Sequence, residues 1–196
     1  QCASNETCNS GSCQKSASSS CNSSGKPFGG GSGTAIDPYL ICSAAQLLRV
    51  DDKSSYVDDH YKLAANLNLG QYGTFEVLTP NKSEKFTGVL EGNGYVINGL
   101  TLNKPATNNV GLFGYTENAK FRNIVLRNVS ITGKNQVGAL AGNMGGNGKG
   151  RVKNAEVTGT VSGEESVGAL VGLNWGKISG AEATGSSSKV DGTDLV

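Results

Sequence analysis

Residues 136–159 read "QVGALAGNMGGNGKGRVKNAEVTG", and residues 166–185 read "SVGALVGLNWGKISGAEATG". Both write Val-Gly-Ala-Leu-x-Gly, a turn, and a short alternating stretch that closes on Thr-Gly. Aligned on the opening Val-Gly, "VGLFG" is a third copy, and Val110, Val137 and Val167 stand 27 and 30 residues apart. Self-similarity at such a period marks a stacked repeat, because one unit cannot bury its apolar side alone.

The alignment defines columns. Leu112, Leu140 and Leu170 share one, Gly114, Gly142 and Gly172 another, and Phe121, Val152 and Ile178 a third. Ile124, Ala155 and Ala181 follow, then Leu126, Val157 and Ala183. A more degenerate copy, "TGVLEG" with "INGLTL", places Leu90 above Leu112 and Ile97 above Phe121, with Leu100 and Leu102 heading the last two columns. "YKLAANLNL" is a further coil, which makes four or five. Strands stacked ~4.8 Å apart turn these columns into interior ladders. The glycines around each leucine mark sharp bends or places where coils crowd. Two ladders shrink toward the C-terminus, so the cross-section is expected to narrow.

Outside the repeats the chain changes character. Residues 1–25 hold Ser, Asn and Cys but no apolar core, and Cys2, Cys8, Cys13 and Cys21 all fall there, with Cys42 just beyond. The spacings and the single histidine do not suit zinc, so a disulfide-stapled segment in an oxidising compartment is the reading. Five is odd: Cys42 is either a buried free thiol or the tie between that segment and the body. Residues 26–60 form a linker and N-terminal cap. Ser43 is placed to cap one short helix over "SAAQLLRV", whose apolar face is Ala45, Leu47 and Leu48. Residues 61–196 form the solenoid. The fold expected is all-β, a right-handed parallel β-solenoid (β-helix) behind a cap and a disulfide-rich segment.

The ends of such a stack need covers. Val196 falls in register with the first residue of another Val-Gly unit, so the chain reads as the first part of a longer array, with end-to-end association possible at an uncovered C-terminal edge. No apolar run approaches the ~20 residues of a membrane span, and no signal peptide precedes Gln1. A mature or excised part of an exported protein, secreted or on the cell surface, fits both features.

With a net charge of +1 and 17% charged residues, no run of Lys or Arg stands out. Nucleic acid, an anionic membrane and a nonspecific polyanion are therefore not expected as partners. No catalytic constellation appears. His60 in "YVDDHYKL" adjoins Asp58 and Asp59 but lacks a nucleophile elbow, and a surface or capping role suits it better. Glu156 and Glu182 share an outward column and could hold calcium or act on a glycoside, yet Lys153 and Lys177 lie nearby and a solvated face accounts for all of them. Asp51-Asp52 and Asp58-Asp59 lack the alternation of a calcium loop. No cofactor is expected, with structural calcium a weak alternative. The sequons at Asn5, Asn22, Asn81 and Asn128 carry weight only in a eukaryotic secretory route.

The turns "YTENAK", "NMGGNGKG" and "LNWG" vary most between copies and line one edge. Tyr115, Asn143, Asn147, Asn174 and Trp175 are the candidate ligand-binding residues there, and the turn at 143–150 is expected to be the most flexible. Trp175 suits either a platform for sugar or protein or, better, packing across its turn.

"VGALAG" and "VGALVGLNWGKISGAEATG" resemble the GLUG repeats of bacterial surface and secreted proteins. Residues 167–185 match most fully, with Asn174-Trp175-Gly176 at the turn and Ala183-Thr184-Gly185 at the close. The resemblance covers about residues 29–196. It implies a β-helix-like shaft of adhesins and large surface proteins, at times appended to peptidases, whose repeats are not catalytic centres. The function expected is a recognition module that binds or presents a surface to a host-cell, protein or glycan target. The alternative is a non-catalytic region of a secreted peptidase, or a polysaccharide-active β-helix enzyme.

Overall fold

A computed structural model describes residues 6–9, 12–15, 21, 26–52, 55–72 and 75–189. Cys2 and the unfinished repeat expected at Val196 lie outside them. Apart from an antiparallel hairpin, Glu6–Asn9 with Ser12–Lys15, every strand pairing among the described residues is parallel. The strands wind into about four turns of a β-solenoid, with a single short α-helix among the described residues, at Ala44–Leu48.

Three long strands, Lys120–Thr132, Arg151–Gly163 and Lys177–Lys189, show how the sequence bends. In the first, Phe121, Ile124, Leu126, Val129 and Ile131 are all buried. Their steps are three, two, three, two rather than a strict two. Each step of three spans an asparagine in the left-handed region, Asn123 at φ 52° and Asn128 at φ 53°. Asparagine tolerates that conformation, and a single left-handed residue flips which way the next side chains face. One continuous strand thereby turns two corners and keeps its apolar residues inside.

The Val-Gly-x-Leu-x-Gly motif has a packing cause. Strands Phe113–Glu117, Ala141–Gly145 and Val171–Asn174 stack in register. The corner residues Val110, Val137 and Val167 stack beside them and are fully buried. A Cβ on Gly142 would stand 2.4 Å from the carbonyl carbon of Asn109, and one on Gly172 would stand 2.4 Å from the backbone nitrogen of Val137. A Cβ on Gly138 would meet the carbonyl oxygen of Ala141 at 2.5 Å. Two backbone ladders touch here, and only glycine lets them approach so closely.

The columns from residue 110 onward are as the repeat alignment places them: Phe121 faces Val152 and Val152 faces Ile178, Ile124 faces Ala155, and Leu112, Leu140 and Leu170 are buried one above another. The degenerate copy is corrected. Leu90 stacks on Phe121 rather than above Leu112, Ile97 on Leu126, and Leu102 on Ile131. "GVLEG" imitates the motif, but the segment that sits above Phe113 is residues 75–86, an irregular stretch that meets it through two isolated bridges, Leu78 against Phe113 and Phe86 against Thr116. The corrected ladders still shrink: Leu67, Ile97, Leu126, Val157 and Ala183 form one of them. Ile178 is half-buried, and Ala181 and Ala183, expected inside, are exposed because no described strand lies beyond Lys177–Lys189.

At the opposite end, aromatic rings fill the stack. Phe28 lies 4.4 Å from Tyr39, and Phe86 lies 4.6 Å from Phe113, centroid to centroid. Such contacts add about 0.5–1.5 kcal/mol each beyond area burial. The helix is capped by the Ser43 side chain, which accepts from the Gln46 N–H. Its buried face is Ala44, Gln46 and Leu47 rather than Ala45, Leu47 and Leu48. Gln46 turns inward because its Oε1 accepts the Cys42 N–H at 2.7 Å. Cys42 is bonded to Cys21, so it is a tie between the N-terminal segment and the body and not a free thiol.

Candidate functional site

The variable edge is built where strands Phe113–Glu117, Ala141–Gly145 and Val171–Asn174 run into their turns. Tyr115 stands opposite Asn143, so the stack brings these two expected residues side by side, while Asn174 stands opposite Met144. Strand pairing continues to Gly145, which shortens the turn expected at 143–150. Asn143 is consequently buried, at 7% exposure, beneath the Gln136 corner, and its amide donates to Gln136 Oε1. It is corrected from an edge residue to an interior one. Tyr115 is half-buried, its hydroxyl lying over Gly145 where a Cβ would come within 2.6 Å.

What faces solvent is Asn147, in the turn, and Trp175, at 62% exposure. Trp175, expected to pack across its turn, leaves most of its surface in solvent. The backbone there is fixed from behind: the Trp175 N–H donates to the Met144 carbonyl at 2.9 Å, and Asn174 Oδ1 accepts the Gly176 N–H at 2.8 Å. The indole is therefore an exposed face on a defined backbone. The turn at 146–150, expected to be the loosest, is tied by Arg151, whose guanidinium donates to the carbonyls of Gly148 and Gly150.

A concavity lies on the long-strand face. It is a groove of about 290 Å³ bordered by Asn123, Val125, Asn154, Glu156, Gly180 and Glu182. Glu156 and Glu182 are in register on adjacent strands, as expected, and Glu156 pairs with Arg127 at 3.1 Å. The Asn154 amide donates to Asn123 Oδ1 at 3.0 Å, and the Asn123 amide to Glu91 Oε1 at 2.9 Å. Among the described residues, no group of three or more His, Cys, Asp or Glu side chains is placed to hold a metal ion.

The acids near the cap serve structure. Asp51 accepts the N–H of Thr79, a buried residue held at φ 47°, and burial raises its pKa against the opposing pull of that hydrogen bond. Asp59 is raised by burial and by its neighbour Asp58. Burial also raises Tyr61, whose hydroxyl donates to the Tyr56 carbonyl at 2.6 Å. His60 pairs backbone to backbone with Val89.

No protein-family model matches the chain. It is 37% identical over 150 residues to halomucin of Haloquadratum walsbyi, a match that takes in 72% of this chain and 2% of that protein. It is 37% identical over 127 residues to a Gly-rich membrane protein of Evansella cellulosilytica, covering 59% of this chain and 14% of that one. It is 34% identical over 115 residues to an immunoglobulin A1 protease of Streptococcus sanguinis, covering 57% of this chain and 6% of that one. The chain thus spans a small fraction of the relatives it matches. A crystal structure described as an immunoglobulin A1 protease from Bacteroides ovatus shares the fold, with a TM-score of 0.65 at 20% identity over 83% of this chain and 51% of that one. The chain is a β-solenoid similar to regions of surface and secreted proteins. No helix among the described residues is long and apolar enough to cross a membrane.

Proposed function

We propose that the chain is a non-catalytic repeat module of a larger exported protein, a stiff shaft that presents a recognition surface to a protein or glycan target. The observation that carries this reading is the spread of the relatives. The same coils recur at 34–37% identity in small parts of proteins that are described very differently. A module reused independently of any one chemistry is a scaffold, and solenoids recognise ligands along their faces and turn edges. The recognition edge is that of Trp175 and Asn147, where a large aromatic stands in solvent on a backbone held by hydrogen bonds.

A second reading is favoured by the immunoglobulin A1 protease matches in sequence and fold: the shaft of a secreted peptidase. It assigns the same non-catalytic role, with the chemistry elsewhere in the full protein. The test is to screen the purified chain on protein and glycan arrays and to incubate it with immunoglobulin A1 and polysaccharides. Saturable binding without turnover, weakened at least about tenfold by Trp175→Ala, is the expected result for a hot-spot aromatic. Cleavage of either class of substrate by the chain itself, or saturable binding to no target, would overturn the reading; a target bound without regard to Trp175 would overturn the assignment of the turn edge as the recognition surface.

A further inference from the structure

Stacking gathers charge that the linear sequence disperses. Phe121, Val152 and Ile178 point inward in register, so the residues on either side of them in each strand point outward. These are Lys120, Arg151 and Lys177 in one column, and Arg122 and Lys153 in the next. All five are exposed. Neighbours within a column are ~4.8 Å apart along the axis, and the columns ~7 Å apart across it.

Like charges directly opposite one another on adjacent strands are destabilising. Four other cations are matched, Lys85 with Glu117, Lys104 with Glu76, Arg127 with Glu156 and Arg49 with Asp52, while Lys26, Lys62, Lys82, Lys134 and Lys149 make no ion pair among the described residues but share no column of stacked strands with one another. None of the five facet cations makes an ion pair among the described residues. The one carboxylate at the rim, Glu91, is beside Arg122 in register but engages the Asn93 N–H and the Asn123 amide. A facet over three successive coils thus carries an excess of positive charge at a fixed repeat, with Arg151 also donating to the Gly148 and Gly150 carbonyls, on a chain whose net charge is only +1.

We infer that this facet binds a linear anionic polysaccharide laid along the solenoid axis, with about one acidic group per sugar residue meeting one row of cations per coil. This identifies the target class for the recognition module proposed above and rests on that reading. It reverses the expectation that polyanions are not partners. A sugar residue in an extended chain is about as long as one coil step of ~4.8 Å, so charge and register match together. Single-stranded nucleic acid fits less well, because its affinity for such grooves draws on aromatic platforms for the bases. No exposed facet position among these strands is aromatic; the flanking side chains are Asn123, Asn154 and Ser179.

The experiment measures binding of the purified chain to immobilised heparin as a sulfated probe, and to polygalacturonate as a carboxylated one, over a salt series. Three comparisons are made: the double variant Lys120→Gln/Lys153→Gln, the off-facet double Lys82→Gln/Lys134→Gln, and a single-stranded oligonucleotide as competing ligand. Circular dichroism confirms that both doubles keep the fold. The facet double is expected to weaken binding at least about tenfold and to reduce the slope of log affinity against log salt by about two, one per cation, while the off-facet double changes little. No retention on either polysaccharide at ~0.15 M salt, equal losses in the two doubles, or tighter binding of the oligonucleotide would each overturn the inference. Trp175→Ala leaves heparin binding intact if the facet acts alone, so failure of the facet and failure of the turn edge are read separately.

Discussion

Replacing Gly142 with alanine puts the packing account of the repeat motif under direct load. The added Cβ would stand 2.4 Å from the carbonyl carbon of Asn109, 2.6 Å from its Cα and 2.6 Å from the nitrogen of Val110. All three are backbone atoms, so no side-chain rotation relieves the contact. Relief requires moving the Asn109–Val110 corner, whose N–H groups donate to Asn135 at 2.9 Å and Gln136 at 3.1 Å. Overpacking a core costs 1–3 kcal/mol where side chains can shift, and a backbone clash falls at or above the top of that range. A loss of about 3 kcal/mol or more is therefore expected for Gly142→Ala. Gly70→Ala is the matched control. Its Cβ would meet nothing nearer than 3.5 Å and its φ is not left-handed, so it should be neutral or gain about 0.5 kcal/mol by stiffening the unfolded chain. Urea titration followed by far-ultraviolet circular dichroism measures both, and amide exchange at Asn109 and Val110 localises the damage. Gly142→Ala within about 0.5 kcal/mol of the parent, a change typical of featureless surface sites, would refute the idea that crowded backbone ladders dictate the motif.

Other perturbations read other parts of the structure. Reducing the Cys21–Cys42 bond, or replacing both residues with serine, should cost about 3 kcal/mol, the loop-closure value for the 21-residue separation; a thermal scan with and without reductant measures it. Phe121→Ala, emptying a fully buried site in contact with Phe86 and Phe113, should cost about 3–5 kcal/mol by urea titration. Because burial raises the pKa of Asp51, the folded chain favours its neutral form. Stability from this group is present below the ordinary carboxylate range and is lost as pH rises through its raised folded value. Asp51→Asn keeps an acceptor for the Thr79 N–H, so it should be at least as stable as the parent at pH 7 and show a flatter stability profile below it. Trp175→Ala should shift stability by no more than about 0.5 kcal/mol, in keeping with a side chain that packs against little.

Much of the fold was legible because the repeats keep the residues that matter to stacking. Val-Gly-x-Leu-x-Gly recurs wherever two backbone ladders touch, so Leu112, Leu140 and Leu170 fell into line. The first copy misled because "GVLEG" contains the right letters in a different strand, while the true counterpart, around Leu78 and Phe86, lacks the glycines. The edge was half legible. Variable spacing located the turns, but it could not show that strand pairing runs on to Gly145 and buries Asn143. The cationic facet was implicit in the column of Phe121, Val152 and Ile178, whose preceding residues are Lys120, Arg151 and Lys177, but the low total charge pointed away from it. Lys120, Arg151 and Lys177 are far apart in the chain, and only the register of three coils makes them neighbours.

That register is the claim on which both the ladders and the facet depend. Through-space NMR contacts from the Phe121 ring test it most directly, since Phe121 is a buried aromatic with different neighbours in each alignment. Contacts to Leu90 on one side and Val152 on the other are predicted, with backbone contacts between Lys120 and Arg151. A Phe121 ring that instead lies against Ile97, with Leu90 beside Leu112, would contradict the stack and dissolve the facet with it.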